Sequence, residues 1–268
     1  MANVCVITGG GRGIGLETAK NISKEKILVL ADVEVETLEN AVRELRARGY
    51  TAFAKYCDVS NVNNVKELAK FALELGNVKQ VVHAAETSAK ADNAERILRW
   101  NIFGTVYVNQ IFSKVMKGGG VIVDVGSYTA YEPSALDMSK KVYATLETDA
   151  EGFWQKILKK VNALKEEDQR KTAAYALSKN FVIWYAKKCA YDFGEKGVRV
   201  VSVSPGILDG EADETSADVA LTAQKRMGKP AEVGYLLATV ADERNGFLVG
   251  VDVLCDGGMT TRKLEFKK

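Results

Sequence analysis

The chain has 268 residues, 47% hydrophobic and 27% charged, a balance that fits an ordinary globular protein able to bury a sizeable core and excludes a disordered or fibrous one. Its formal net charge of +2 gives no electrostatic case for binding nucleic acid. His83 is the single histidine, which argues against a zinc site, so no metal is expected, and against a histidine-based triad.

In chain order, the first element is an apolar run, Val4-Cys5-Val6-Ile7, entering a glycine-rich turn, Thr8-Gly9-Gly10-Gly11-Arg12-Gly13-Ile14-Gly15. Ile14, Leu16, Ala19 and Ile22 then follow a helical pattern. Strand, glycine turn and helix together hold a dinucleotide pyrophosphate: glycine lets the backbone approach the ligand, and the helix N-terminus offers free N–H groups. The spacing here is Gly9-x-x-x-Gly13-x-Gly15, not the common G-x-G-x-x-G. Taken alone, the stretch also reads as a surface turn without a ligand. Apolar runs rich in Val and Ile predict strands over 3–8, 26–31, 51–57, 78–84, 119–126, 198–203 and 248–254. Helical patterns lie near 14–24, 35–48, 62–75, 92–116, 173–194 and 230–242. This alternation predicts a single α/β domain over 1–268, a Rossmann fold with a doubly wound seven-stranded parallel sheet.

One stretch, about 128–171, interrupts the alternation and is too long for an ordinary loop. Within it Phe153, Trp154, Ile157, Leu158, Val161 and Leu164 recur at helical spacing, with Lys156, Lys159, Lys160 and Lys165 elsewhere on the wheel. That pattern predicts an amphipathic helix in an insertion. It either decorates the core or forms a pocket wall or an oligomer surface.

Cys5, Cys57, Cys189 and Cys255 form no C-x-x-C pair, and three of them sit in strand-like runs. They read as thiols in a reducing compartment. No charged, apolar leader and no long apolar run is present. A cytoplasmic protein without a membrane segment is expected.

Four residues have the chemistry of a reaction centre. Tyr175 and Lys179 are four apart on a helical pattern and share a face. A phenol ionises near pH 10, and a neighbouring ammonium lowers that value toward the range useful for proton transfer. Ser127 follows a strand and faces the crevice at its carboxyl end. Asn101 lies inside a helical pattern that its amide does not favour. Asp32 ends the second strand, 19 residues after Gly13, where a carboxylate accepts both hydroxyls of an adenosine ribose and repels a 2′-phosphate. Arg12 is the counter-signal, since a basic side chain in the turn can reach a 2′-phosphate. Asp58 reads equally well as a turn or helix N-terminal residue.

Together these features resemble the short-chain dehydrogenase/reductase family over nearly the whole chain. The resemblance rests on the glycine turn, Asp32, Asp58, Asn101, Ser127, Tyr175-x-x-x-Lys179, Pro205-Gly206 and Asp256-Gly257-Gly258. It implies a catalytic tetrad of Asn101, Ser127, Tyr175 and Lys179. Tyr175 would be the proton donor or acceptor and Ser127 would orient the carbonyl. Lys179 would bind the nicotinamide ribose and tune Tyr175, and Asn101 would hold a water of the proton relay. It implies a cofactor site of Gly9, Gly11, Arg12, Gly13, Ile14, Gly15, Asp32, Asp58, Val59, Ala84, Tyr175, Lys179, Pro205 and Ile207, with Asp58 and Val59 flanking the adenine. The family's Asn-Asn-Ala-Gly after the fourth strand is replaced by His83-Ala84-Ala85-Glu86.

The resulting expectation is an NAD(H)-dependent oxidoreductase that interconverts a secondary alcohol and a ketone. A hydroxysteroid or bile acid would bind in a mostly apolar pocket under a mobile lid at about 207–228. The resemblance also implies a homodimer or homotetramer. The alternatives are an NADP(H)-dependent reductase of 3-oxoacyl thioesters or small carbonyls and sugars, and a dinucleotide sensor without turnover.

Overall fold

The computed structural model describes residues 1–88, 90, 92–132, 140–210 and 217–266. Seven strands form one sheet: β1 (Asn3–Thr8), β2 (Ile27–Asp32), β3 (Thr51–Tyr56), β4 (Asn77–His83), β5 (Gly120–Val125), β6 (Val198–Pro205) and β7 (Asp252–Cys255). Their order is β3-β2-β1-β4-β5-β6-β7, and every pair is parallel. Parallel strands need crossovers, and the helices that supply them cover both faces. α1 (Gly13–Ala19), α2 (Val35–Ala47) and α9 (Pro230–Val240) lie on one face. α3 (Val62–Leu75), α5 (Gly104–Val115) and α8 (Glu167–Gly194) lie on the other.

Alternation along each strand feeds both layers. Cys5 and Ile7 of β1 point into one apolar cluster, and Val4 and Val6 into the other. Strand order reverses between β1 and β4, the point where an open α/β sheet leaves a crevice at its carboxyl edge.

Several boundaries depart from the sequence pattern, and the first helix ends at Ala19 rather than near 24. The predicted helix 92–116 is divided: α4 (Ala94–Leu98) passes through a wide π turn (Arg99–Phe103) into α5. Asn101 sits in that π turn, a distortion often found at functional sites. The helix bearing Tyr175 begins at Glu167, ahead of the predicted 173, and so takes the last residues assigned to the insertion. The final strand is shorter than 248–254, because its pairing with β6 covers only Asp252–Cys255.

Among its described residues the insertion includes two α-helices, α6 (Lys140–Ala144) and α7 (Ala150–Asn162), the latter capped by Asp149, whose carboxylate accepts from the Gly152 N–H at 2.8 Å. The predicted amphipathic pattern is realised in α7: Phe153, Trp154, Ile157 and Val161 are buried. Phe153 meets Phe103 edge-on and lies 5.8 Å from the Phe181 ring. No described helix is long and apolar enough to cross a membrane. Cys5, Cys57 and Cys189 are buried free thiols, whereas Cys255 is half-buried.

Candidate active site

A cleft of about 970 Å³ opens along the carboxyl ends of the strands. The glycine turn, Asp32, Ser127 and Tyr175 all line it, and β1 and β4 lie between Asp32, at the end of β2, and Ser127, after β5. Two glycines make the turn possible. Gly13 has φ +56° and faces open space, a backbone conformation that side chains resist. A Cβ on Gly15 would lie 2.1 Å from the Gly9 carbonyl oxygen, so the turn can fold onto α1 only without one.

Asp32 is held by three backbone donors. Oδ2 accepts from the Gly11 N–H at 3.1 Å, and Oδ1 accepts from Val33 at 2.8 Å and Glu34 at 3.3 Å. The carboxylate is thereby aimed before any ligand arrives. Glu34 lines the cleft beside it, a second negative charge that the sequence reasoning missed. Arg12 lines the same region and is exposed. Gly9, Gly13, Ile14, Gly15, Ala84, Pro205 and Ile207 also reach the cleft wall. Asp58 instead closes a turn, accepting from the Ser60 N–H and hydroxyl at 2.8 and 2.7 Å. The Val59 side chain is buried against Gly104, and Cys57 is the residue of that segment on the wall.

α8 carries Tyr175 and Lys179. Tyr175 faces the cleft, and Lys179, one turn later, is buried, with its Nζ donating to the Val125 carbonyl at 2.8 Å. The ammonium lies 5.6 Å from the Tyr175 ring centre. Ser127 starts the turn after β5, and its Oγ accepts from the Thr129 N–H at 3.2 Å and the Thr129 hydroxyl at 3.0 Å. Both bonds use oxygen lone pairs, so the Ser127 proton remains available to donate.

Asn101 is bonded through its side chain to the segment after β4 and to α8. Its Nδ2 donates to the Thr87 carbonyl at 3.1 Å and the Ser178 hydroxyl at 2.9 Å, while Oδ1 accepts from the Thr87 N–H at 3.0 Å. Both amide hydrogens are therefore committed to clamping the segment after β4.

That segment holds the residue that sequence reasoning noticed as a departure but gave no role. The Glu86 carboxylate lies 3.2 and 3.3 Å from the Tyr175 hydroxyl and forms an ion pair with Lys179. The only signal in the sequence was an acid where the family has glycine. Nothing local revealed that the acid would turn toward α8.

Below the site, burial pushes the His83 imidazole down to about 3, with the Lys179 charge acting in the same direction. The Thr8 hydroxyl accepts from the Ala85 N–H at 3.3 Å and is hydrogen-bonded to His83 Nδ1 at 2.8 Å. His83 therefore joins the ends of β1 and β4 rather than moving protons at neutral pH. On the neighbouring strand, burial pushes the Asp124 carboxyl up to about 7, opposed by hydrogen bonds from Asn109 and by the Lys179 charge.

The expected apolar pocket is mixed in character. Tyr128, Ile207, Leu208 and Trp100 supply apolar surface, but Lys90, Asp92, Arg96 and Asp209 line the same cleft. No residue of α7 appears on the described wall, so the insertion helix braces the core and does not shape the pocket. The expected lid at 207–228 is pinned at its base by paired backbone bonds, Asp209 N–H to the Gly228 carbonyl and Gly228 N–H to the Ile207 carbonyl, each 2.9 Å. Its tip, including Glu211, Asp213 and Glu214, lies outside the described residues.

Comparison with known proteins gives the same family from independent ground. Residues 3–145 match the family model for short chain dehydrogenases, and residues 157–260 match the model described as enoyl-(acyl carrier protein) reductase. The chain is 27% identical over 266 residues to the short-chain dehydrogenase/reductase bsc3 of Alternaria brassicicola, covering 94% of each. It is 23% identical to the 7alpha-hydroxysteroid dehydrogenase of Escherichia coli K12, covering 94% of this chain and 92% of that one. The fold of a short chain dehydrogenase from Burkholderia cenocepacia, solved in complex with NADP, superposes with a TM-score of 0.73 at 21% identity, covering 96% and 97% of the two chains. With more than half of its length inside one family model and a tyrosine–lysine pair on the wall of its cleft, this chain belongs to the short-chain dehydrogenase/reductase family and is an oxidoreductase of alcohol and carbonyl groups.

Proposed function

We propose that the protein is an NAD(H)-dependent oxidoreductase that interconverts a secondary alcohol and a ketone, with a hydroxysteroid or bile acid as substrate. The observation that carries this reading is the burial of Lys179 one helical turn from Tyr175, which shares a single cleft with the Asp32 carboxylate. The turn fits a dinucleotide: Gly13 leaves open space where a Cβ would stand, and the N-terminus of α1 faces the cleft. Asp32, with Glu34 beside it, favours an unphosphorylated ribose. Arg12 and the NADP complex of the Burkholderia relative support the alternative, NADP(H). The Escherichia coli relative and the apolar side formed by Tyr128, Ile207 and Leu208 support the steroid class.

A bound nicotinamide would supply or accept the hydride. This chain's own residues manage the oxygen and its proton. Tyr175 donates to the carbonyl oxygen in reduction and takes the hydroxyl proton in oxidation. Ser127 donates a hydrogen bond to the same oxygen, held in place by its two bonds from Thr129. Lys179 places a positive charge 5.6 Å from the Tyr175 ring centre, and the Glu86 carboxylate beside the same hydroxyl offsets part of it. Asn101 keeps the Thr87 segment in register with α8 through Ser178.

The protein is proposed to act in the cytoplasm, in keeping with its unpaired cysteines. It is proposed to assemble as a homodimer or homotetramer, in keeping with the exposed Tyr235 and Phe247 and with β7 as an edge strand of the sheet.

Fluorescence titration with NADH and NADPH, followed by a panel of steroids and simple ketones, tests the reading. Tyr175→Phe is expected to lower turnover at least ~100-fold, with NADH affinity changed less than about twofold, a difference smaller than one hydrogen bond contributes. Unchanged turnover would remove Tyr175 from the mechanism, and tighter NADPH binding would reassign the cofactor.

A further inference from the structure

Glu86 stands where the rest of the site leaves no need for an acid. Its segment is fixed on both sides: Thr87 is clamped by Asn101, and the Ala85 N–H donates to the Thr8 hydroxyl. The side chain keeps 29% of its surface exposed and lines the cleft. Its two oxygens spread across the Tyr175 hydroxyl at 3.2 and 3.3 Å, and one of them pairs with the Lys179 ammonium. Lys179 is only 2% exposed, and Glu86, which lines the cleft, is its ion-pair partner.

A carboxylate, an ammonium and a phenol thus converge on one point. A carboxylate only accepts hydrogen bonds, an ammonium only donates them, and a phenol does either. A vicinal diol is complementary to such a set, because each hydroxyl can donate to the acid and accept from the ammonium or the phenol. The same cleft has another carboxylate, Asp32. A dinucleotide carries two ribose diols, one on each side of its pyrophosphate, and the glycine turn lies beside Asp32.

We propose that Glu86 is a cofactor-binding residue that accepts hydrogen bonds from the ribose hydroxyls beside Tyr175. This rests on the reading that the cleft binds a nicotinamide dinucleotide. The long contacts of Glu86 with the Tyr175 hydroxyl are weak enough to be exchanged for ribose hydroxyls, while the ion pair holds the carboxylate in position beforehand. Glu86 and Asp32 then divide the ligand: each carboxylate reads one ribose.

Fragments of the cofactor separate the two carboxylates without any turnover. ADP carries only the adenosine ribose, whereas ADP-ribose also carries the second. Affinities of the full chain for ADP, ADP-ribose and the preferred one of NADH and NADPH are measured for the natural sequence and for Glu86→Gln, Glu86→Ala and Asp32→Ala. The Glu86 variants are expected to bind ADP-ribose and the dinucleotide ~10-fold or more weakly, the loss of hydrogen bonds to a charged group. Their ADP affinity should stay within about twofold, which also shows that they are folded. Asp32→Ala is expected to weaken all three ligands. Equal affinities for ADP-ribose in the natural chain and both Glu86 variants would overturn the assignment. Tighter dinucleotide binding in those variants would also overturn it and make Glu86 a competitor for Lys179. If neither dinucleotide binds the natural chain, the underlying reading falls as well. If a dinucleotide binds and only the Glu86 effect is missing, the inference alone falls.

Discussion

His83 illustrates how burial decides what a single residue can do. Exposed imidazole titrates near pH 6.5 and is the usual physiological proton carrier. Here burial and the Lys179 charge hold it down to about 3, so it is neutral at any pH at which the enzyme would work. Because it is the single histidine, its ring signals in a proton or nitrogen magnetic resonance spectrum belong to one group. They are expected to stay constant from pH 8 to pH 5; an inflection near pH 6.5 would contradict this. The sign for stability follows from the lowered value. Protons favour the unfolded chain, so the His83 contribution is present above its unfolded value near 6.5 and is lost progressively as pH falls toward 3. Tyr175, Lys179 and Glu86 make the opposite point. Their chemistry depends on groups far away in sequence that folding brings within hydrogen-bond reach.

At the scale of elements, helix α7 has an amphipathic sequence whose buried face was correctly legible, whereas its neighbours were not. Phe153 is fully buried and meets rings from α8 and from the π turn. Phe153→Ala is expected to cost about 3–5 kcal/mol, as for other buried aromatic rings, and to lower the unfolding temperature on the order of 10 °C. Because no α7 residue lines the described cleft, NADH affinity at 25 °C is expected to change by less than about twofold. Differential scanning fluorimetry and the NADH titration read the two effects separately. A large loss of NADH affinity with little loss of stability would return the insertion helix to the pocket. The π turn at Arg99–Phe103 could not be foreseen. Its residues fit a continuous helix, and only the contacts of Asn101 with Thr87 and Ser178 account for the placement of its side chain.

For the whole molecule, the seven-stranded sheet ends in an edge strand, β7, and exposed apolar side chains precede it in the sequence. Phe247 is fully exposed, and Tyr235, Val249 and Val251 add to the same region of the sequence. An open edge with apolar neighbours favours association. Light scattering on the purified protein is expected to give a mass two or four times 29.2 kDa. Phe247→Asp is expected to reduce that mass by burying a charge in the contact. A monomer for the natural chain, or an assembly indifferent to this change, would exclude that edge as the association surface.

Sequence alone determined the fold class, because continuous Val- and Ile-rich strands alternating with amphipathic helices have few other ways to cover both faces of a sheet. It also located the glycine turn, Asp32, Ser127, Tyr175 and Lys179, since these depend on short spacings and on places at the carboxyl ends of strands. Only the tertiary structure decided what depends on distant partners. The insertion helix was directed to the core by rings on other helices. His83 was neutralised by its surroundings. Glu86, an unexplained acid in the linear chain, was turned onto Tyr175, 89 positions away, and onto Lys179. Spacing along a helix or strand is written locally, whereas the field and the neighbours that set a group's charge are assembled only when the chain closes on itself.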